Sequence, residues 1–473
     1  MIELFWKVIL LFNGMVLAYF LITNTVYLCT TLFAFKVLKN YTRNRENIYI
    51  EDLAGGASAP PITLIAPAYN EEATCVESVR SLLTLIYPDY EILMVNDGSK
   101  DSTVQRLIEA YEMTPASRAK TAEIVCGKVR EVYKSSRHPN LWLIDKENGG
   151  KADALNCGLN FCRTPLFCAM DADSLLERNA LIKIVRPYLE DTTTIAAGGV
   201  IRIVNGCTVD AGVVMDIQMP KKWIERFQVL EYLRAFLSGR MGWAYLESTL
   251  IISGAFGLFQ REAAADAGGF RKDTIGEDME LIVRLHRSCR ENNIPYRITF
   301  VPDPVAWTEC PSTLRVLGRQ RDRWQRGLND ALLIHKKMLF NPRYGRIGMF
   351  AFPYFFFFEM LGPVIELFGY GAFAIAVAYG RVDGLFMLAF FMAAFVYGVA
   401  LSIAAVGLEE LSFRRHPKLT DLLLLFSLAV LENFGYRQIL IFWRLKGALL
   451  FFKRSKSWGE MEHHGFKTAA AKS

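Results

Sequence analysis

Four short runs of this chain carry residue types that hold phosphate, sugar hydroxyls or metal. Asp171-Ala172-Asp173 sets two carboxylates one residue apart, and a hard divalent cation such as Mg2+ or Mn2+ takes carboxylate oxygens together with substrate phosphates and water. Asn148-Gly149-Gly150-Lys151 has two glycines that let backbone approach a phosphate, with a lysine after them at a helix start. Asn96-Asp97-Gly98-Ser99-Lys100-Asp101-Ser102 puts a carboxylate in a tight turn and Ser102 at a helix N-cap. Pro67-Ala68-Tyr69-Asn70-Glu71-Glu72 offers an aromatic ring directly after a strand. Together the four suit a nucleoside diphosphate with its cation. Taken singly, each also has an ordinary structural use: Asp97 as a turn former, Lys151 as a solvated helix residue, Tyr69 as a packed ring. The Gly-Gly-Lys run is not the phosphate loop of nucleotide hydrolases, because position 145 is Asp rather than Gly and Ala152 replaces Ser or Thr. No Gly-x-Gly-x-x-Gly follows the first strand, so a dinucleotide site has no support.

The elements that must position these runs alternate. After Pro60-Pro61, the apolar run 62–66 reads as a buried strand, followed by a helix over 72–85, a strand over 91–96 and a helix over 102–112. A strand over 141–145, a helix over 152–161 and a strand over 166–170 complete the pattern. Nearly continuous apolar strands alternating with helices predict a Rossmann-like α/β domain, its mostly parallel sheet covered on both faces. In such sheets ligands bind beyond the carboxyl ends of the strands, which is where all four runs fall.

The rest of the composition points to a membrane. The 473 residues are 52% hydrophobic, with 54 Lys+Arg against 48 Asp+Glu for a net charge of +6. These values exclude a disordered or collagen-like chain. Apolar segments over 8–35, 347–380, 385–406 and 422–445 are each long enough to cross a bilayer, the first as an uncleaved anchor. The expected division is residues 1–59 as membrane helix and linker, 60–335 as the soluble domain, and 336–473 as membrane helices and tail. Lys36, Lys39, Arg43 and Arg45 after the first segment, Arg343 and Arg346 before the second, and Arg414, Arg415 and Lys418 place the large domain on the cytoplasmic side of the cell (plasma or inner) membrane. Lys446, Lys453, Arg454 and Lys456 would fall outside if the last segment spans; Glu432, Asn433, Gly435 and Arg437 interrupt it, so the side of the C-terminus stays open. Glu359 and Glu366, seven apart, share a helix face and either line a polar path or pair, with Arg437 as the partner at hand. Residues 221–246 pattern as an amphipathic helix that lies on the membrane or packs on the domain. The basic residues from Arg315 to Arg346 suit lipid headgroups rather than nucleic acid. Nine cysteines without Cys-x-x-Cys spacing read as reduced thiols.

The order of these motifs resembles the family 2 glycosyltransferases of GT-A fold, and more narrowly the membrane-embedded processive group of cellulose, hyaluronan, chitin-oligosaccharide and poly-N-acetylglucosamine synthases. Ser253-Gly254-Ala255-Phe256-Gly257, Gly276-Glu277-Asp278 and Gln320-Arg321-Asp322-Arg323-Trp324 follow in the order that group shows, the last matching its Gln-x-x-Arg-Trp signature. The resemblance covers about residues 60 to 335. It implies a UDP-binding set of Tyr69, Glu71, Asp97, Lys151, Asp171, Gln320 and Arg323, in which Tyr69 stacks on uracil and Asp97 bonds its edge. Asp173 with Asp171 would hold Mg2+ or Mn2+, and Trp324, Ser253 and Gly254 would face the acceptor sugar. Asp278 would be the catalytic base, with Glu277 beside it. Cellulose synthases carry Thr-Glu-Asp where this chain has Gly276-Glu277-Asp278, which weakens cellulose as the product and leaves the base in place. On the residues alone, an acidic pair opening a helix serves dipole capping equally well. The implied partners are a UDP-sugar donor, a growing polysaccharide acceptor, the lipid bilayer and accessory export or co-polymerase subunits, and no nucleic acid. The implied product is a secreted exopolysaccharide of the biofilm kind, made from UDP-N-acetylglucosamine or UDP-glucose. The alternative is a non-processive transferase that moves a single sugar to a membrane lipid.

Overall fold

The computed structural model of the chain describes residues 1–45, 59–210, 212–413 and 419–452. Arg414, Arg415, Lys418, Lys453, Arg454 and Lys456, used above for orientation, lie outside them. The chain divides into two units. A sheet unit comprises Thr42–Lys221 with Leu246–Cys310; a helical unit comprises Met1–Tyr41, Lys222–Tyr245 and the described residues from Pro311 onward.

The sheet unit contains strands β1 (Ile62–Ala68), β2 (Tyr90–Asp97), β3 (Met113–Pro115), β4 (Val129–Ser135), β5 (Leu141–Lys146), β6 (Leu166–Met170), β7 (Leu175–Leu176), β8 (Thr194–Ile203), β9 (Thr208–Asp210), β10 (Val213–Asp216), β11 (Phe256–Gln260) and β12 (Arg297–Thr308). Ten of these form one sheet in the order β3-β4-β5-β2-β1-β6-β11-β8-β12-β7, while β9 and β10 make a small antiparallel ribbon. The sheet is Rossmann-like and mixed. Its parallel block is β5-β2-β1-β6, the alternation read from the sequence, and β8 and β12 are also parallel. β4 and β11 run antiparallel to their neighbours. The helix expected over 72–85 is shorter, Cys75–Leu83, because Glu71 accepts from the Thr74 and Cys75 amides and forms a turn instead.

Register brings the polar runs to one edge. β1 and β2 pair Ala68 with Asn96, and β2 and β5 pair Asp97 with Lys146. Parallel strands end together, so the segments after Ala68, Asp97, Lys146 and Met170 leave on the same side. β11 enters from that side: it pairs Phe256 with Met170, which sets Ser253 and Gly254 beside Asp171. The helices Lys151–Phe161 and Glu277–Glu291 bury Leu155, Leu159, Leu281, Ile282 and Leu285 in one cluster with Ile65, Val95 and Phe167 of the sheet. Burying an aliphatic side chain of this size contributes about 1.5–3 kcal/mol. One shared core therefore fixes both helix starts, Lys151 and Glu277-Asp278.

In the helical unit, Ile2–Arg43 and Gly384–Ser412 are long and apolar enough to cross a membrane. Two further pairs qualify if each is one bent span: Ile347–Met360 with Gly362–Ala378 at 49°, and Leu419–Leu431 with Tyr436–Phe451 at 59°. The second bend falls at Glu432 to Gly435, the residues that interrupt the apolar run in the sequence. The first has Pro363 in the opening turn of the following helix, where the missing N–H costs nothing.

Glu359, Glu366 and Glu432 of these helices each have a polar partner, since an uncompensated charge among apolar helices is costly. The ion pair of Glu359 is with Arg444 at 3.2 Å, not with Arg437; the Tyr27 hydroxyl donates to the other carboxylate oxygen at 2.6 Å. Glu366 accepts from the Tyr19 hydroxyl at 2.9 Å. Arg437 instead shares Glu432 with Arg234. That contact assigns the amphipathic stretch to the helical unit, where Leu230, Leu233 and Leu237 are buried and Trp223 is exposed.

Candidate active site

The first two loops are laced together. The Asn70 amide donates to the Ser99 hydroxyl at 3.0 Å, the Lys100 amide to the Asn70 side chain at 2.9 Å, and the Glu71 amide to Thr103 at 2.9 Å. Asn70 adopts a left-handed φ of 56° that turns the chain straight after β1. Tyr69 is 45% exposed, so its ring is presented rather than packed. Glu71 accepts from Thr74 at 2.6 Å. Ser102 occupies the N-cap position of the Thr103–Ala110 helix without capping through its side chain; Asp101 accepts from the Thr103 amide at 3.0 Å in its place.

Asp97 is turned inward. It is 3% exposed, and its carboxylate accepts from Lys146, from the Gly149 amide at 3.0 Å, from the Gly150 amide at 2.7 Å and from Asn148 at 3.2 Å. Gly150 has φ +91°, a conformation that L side chains rarely adopt, and it is followed at once by Lys151 and its helix.

Lys151 reaches the centre of the cluster. Its ammonium pairs with Asp171, lies 3.6 Å from Glu277 and bonds the Gly254 carbonyl at 3.4 Å. Asp278 accepts from the Gly254 amide at 2.9 Å through one oxygen and from the Met279 amide at 2.8 Å through the other. A Cβ at position 254 would sit 2.9 Å from the Lys151 nitrogen and 3.3 Å from Asp278, so this close approach needs glycine. Three acids and a lysine thus converge on the backbone of Ser253-Gly254-Ala255. Burial alone would lower the Lys151 pKa, but Asp171 and Glu277 more than reverse that and hold it above the usual lysine range. Burial pushes the Glu277 carboxyl up to about 7, against the opposing pull of Lys151.

That shift carries a sign that can be tested. A folded carboxyl that keeps its proton up to about 7 binds more protons than its unfolded form between the ordinary carboxylate range and that value, so stability falls as pH rises through the window. Glu277→Gln, which cannot ionise, is expected to melt with wild type at the acid end of a pH series and above it at the alkaline end. Thermal melts from about pH 5 to about pH 9 measure the difference; parallel curves at every pH would contradict the assignment.

Asp171 and Asp173 follow β6, and the Asp171 amide donates to the Ala255 carbonyl at 3.4 Å. Among the described residues, no group of three or more His, Cys, Asp or Glu side chains is placed to hold a metal ion. Two carboxylates nevertheless fit a hard cation that takes its other oxygens from a diphosphate and from water.

Gln320, Arg323 and Trp324 lie on the Leu314–Ile334 helix of the helical unit. Gln320 is buried with its side-chain oxygen unpartnered, and Trp324 is 44% exposed with the Arg321 guanidinium 4.3 Å from its ring centroid. Arg321 makes a two-pronged pair with Glu231 at 2.7 and 2.9 Å. The fully buried Lys146, which pairs with Asp97 and with Asp153 at 2.7 Å, is not among the residues that the sequence motifs mark. Its only signal there is a lysine closing an apolar strand immediately before the Gly-Gly turn.

Comparison with known proteins finds relatives of the chain. The chain is 27% identical over 326 residues to the poly-beta-1,6-N-acetyl-D-glucosamine synthase of Staphylococcus aureus (strain COL), a match covering 68% of this chain and 66% of that protein, just under two thirds. The synthase of the same name from Staphylococcus epidermidis is 27% identical over 273 residues, 58% of this chain and 55% of that one. Among solved structures, a mannosyltransferase from Pyrobaculum calidifontis in complex with GDP-Man and Mn2+ is 20% identical, over 88% of this chain and 99% of that one, with a TM-score of 0.49. The model of the family described as glycosyltransferase like family 2 matches residues 60–327, more than half of the chain and all of the converging acids. On that match the chain belongs to the family 2 glycosyltransferases.

Proposed function

We propose that the protein is a processive, inverting β-glycosyltransferase that polymerises sugar from a UDP-sugar, UDP-N-acetylglucosamine or UDP-glucose, into an exported polysaccharide. The observation that carries this reading is the meeting of Lys151, Asp171, Glu277 and Asp278 at the Gly254 backbone, on the edge where the parallel strands end. Names borne by the staphylococcal relatives favour N-acetylglucosamine as the sugar.

Displacement at an α-linked donor by one in-line attack inverts the anomeric carbon and yields a β linkage. The acceptor hydroxyl then needs a base on the face opposite the leaving diphosphate. Asp278 suits that role: the Gly254 and Met279 amides each take one lone pair of its two oxygens, which fixes its orientation and leaves a lone pair for the acceptor proton. Lys151 would face the diphosphate and offset negative charge as it develops on the leaving group. Tyr69 would stack on the base, while Gln320, Arg323 and Trp324 would serve the pyrophosphate and the acceptor sugar. Asp173 and Asp171 would hold Mg2+ or Mn2+, which when bound adds positive charge beside the diphosphate. The apolar helices would set the protein in the cell membrane as a multi-pass enzyme, its sheet unit on the cytoplasmic side.

The test is product size and composition. Membranes bearing the protein, given each UDP-sugar separately, are expected to release UDP from one donor and accumulate a polymer. A single sugar on a lipid would favour the non-processive reading. Trp324→Ala should shorten the chains; unchanged length and rate would make Trp324 a membrane-interface residue instead.

A further inference from the structure

Ahead of β11, residues 248–253 form neither helix nor strand, yet Ser248, Thr249, Leu250 and Ile252 are each 2% exposed or less. Buried backbone outside a ladder still needs hydrogen-bond partners. The helix Glu277–Glu291 supplies two of them. At its start Asp278 takes the Gly254 amide at 2.9 Å, and eight residues further on Nε2 of His286 meets the Thr249 carbonyl at 2.7 Å. Eight residues cover about 12 Å of a helix and bring both side chains to one side of it. The five residues from Thr249 to Gly254 could stretch to about 17 Å, so the length of the chain does not fix its course. The two bonds to one helix hold its ends.

The surroundings of His286 suit holding and not proton transfer. A carbonyl only accepts, so Nε2 carries the ring proton, and the bare Nδ1 accepts from the Tyr296 hydroxyl at 2.8 Å. Burial pushes that hydroxyl up to about 12, which keeps it a donor, and pushes the imidazole down to about 4, which keeps it neutral. Both ring nitrogens are thereby engaged, in a side chain of a residue only 1% exposed. His286 can act on a substrate only through the segment it holds.

We propose that His286 is a positioning residue for sugar transfer: from the helix that carries Asp278 it anchors the segment ending in Ser253-Gly254, and so sets the acceptor face against the base. The proposal rests on the UDP-sugar reading of the site. Loss of the anchor should slow transfer and spare UDP, because no donor-binding residue depends on the Thr249 carbonyl.

Two carboxamides separate this role from general support of the fold. His286→Gln sets an amide nitrogen near the place of Nε2 and keeps the bond to Thr249, whereas the shorter His286→Asn ends near Nδ1 and loses it. Purified full-length protein in nanodiscs is given Mg2+ with UDP-N-acetylglucosamine or UDP-glucose in separate runs. Sugar incorporated is expressed per UDP-binding site, so unfolded protein does not count, and calorimetry gives the affinity for UDP. His286→Asn is expected to lower kcat by about tenfold or more with UDP affinity within about twofold of wild type, and His286→Gln to stay within about threefold in both. Ile251→Gly gives slack to the middle of the segment and leaves His286 in place; it should lower kcat by about threefold or more with the same sparing of UDP, even if His286→Asn does not fold. Equal rates in the two carboxamide variants, a loss of UDP affinity matching the loss of rate, or an unchanged kcat in Ile251→Gly would overturn the proposal. Failure of wild type to bind UDP or to use either donor would instead reject the UDP-sugar reading, and this inference with it.

Discussion

Asp278→Asn should lower sugar transfer by about a thousandfold or more while UDP affinity stays within about twofold of wild type. A thousandfold corresponds to about 4 kcal/mol of transition-state stabilisation at about 1.4 kcal/mol per decade. The change is isosteric, and the amide oxygen can still accept from the Gly254 or Met279 N–H that the carboxylate now holds. What it removes is the basicity that, on the proposed mechanism, takes the acceptor proton. Burst and steady-state UDP release, with calorimetry for UDP, separate the two effects. If purified Asp278→Asn turns over at the wild-type rate, another group is the base.

Lys151→Met should act on both binding and rate. Lys151 is the cation of the cluster formed by Asp171, Glu277 and Asp278, and its ammonium touches the first of these directly. Without it the acids repel one another and a leaving diphosphate. Loss of one such electrostatic contact lowers rate by about a hundredfold to a thousandfold, and here UDP affinity should fall as well. Since Lys151 opposes the upward push on Glu277, its removal should also carry the pH window of Glu277 to higher values. Unchanged kcat/KM with a simple loss of melting temperature would mark Lys151 as a structural lysine.

The architecture of the parallel block could be read from the sequence because its signal is local. β1, β2, β5 and β6 are short apolar runs between helical periods, and each polar run begins where an apolar run stops. The antiparallel strand β11 and the meeting of Gly254 with Lys151, 103 residues away, and with Asp278, 24 residues away, depend on register between separate segments, which no local pattern encodes. Ser102 has the right residue type for a cap, yet its side chain makes no cap bond, and Asp101 accepts from the Thr103 amide at the helix start. Lys146 was hidden for a related reason. One lysine among 54 basic residues carries no mark of burial, and only the pairing of Asp97 with Lys146 across β2 and β5 shows why it is retained.

The helical unit gives the same lesson. Arg437 and Arg444 are one heptad apart on one helix, so spacing could not choose between them as the partner of Glu359. Packing chose Arg444, which also bonds Gln325 at 2.9 Å, the neighbour of Trp324 on its helix. The break at Glu432 to Gly435 is visible as polar residues in an apolar run, whereas the bend ahead of Pro363 is marked in the sequence by that proline alone.

On the proposed mechanism Asp278 promotes one displacement on an α-linked UDP-sugar. The measurement closest to it is the anomeric configuration of the newly formed bond, read by proton NMR on product made by the purified full-length protein from an isotopically labelled donor. A β linkage from the α donor, absent in Asp278→Asn, is the predicted result. An α linkage, or a β linkage formed at the same rate by Asp278→Asn, would contradict it.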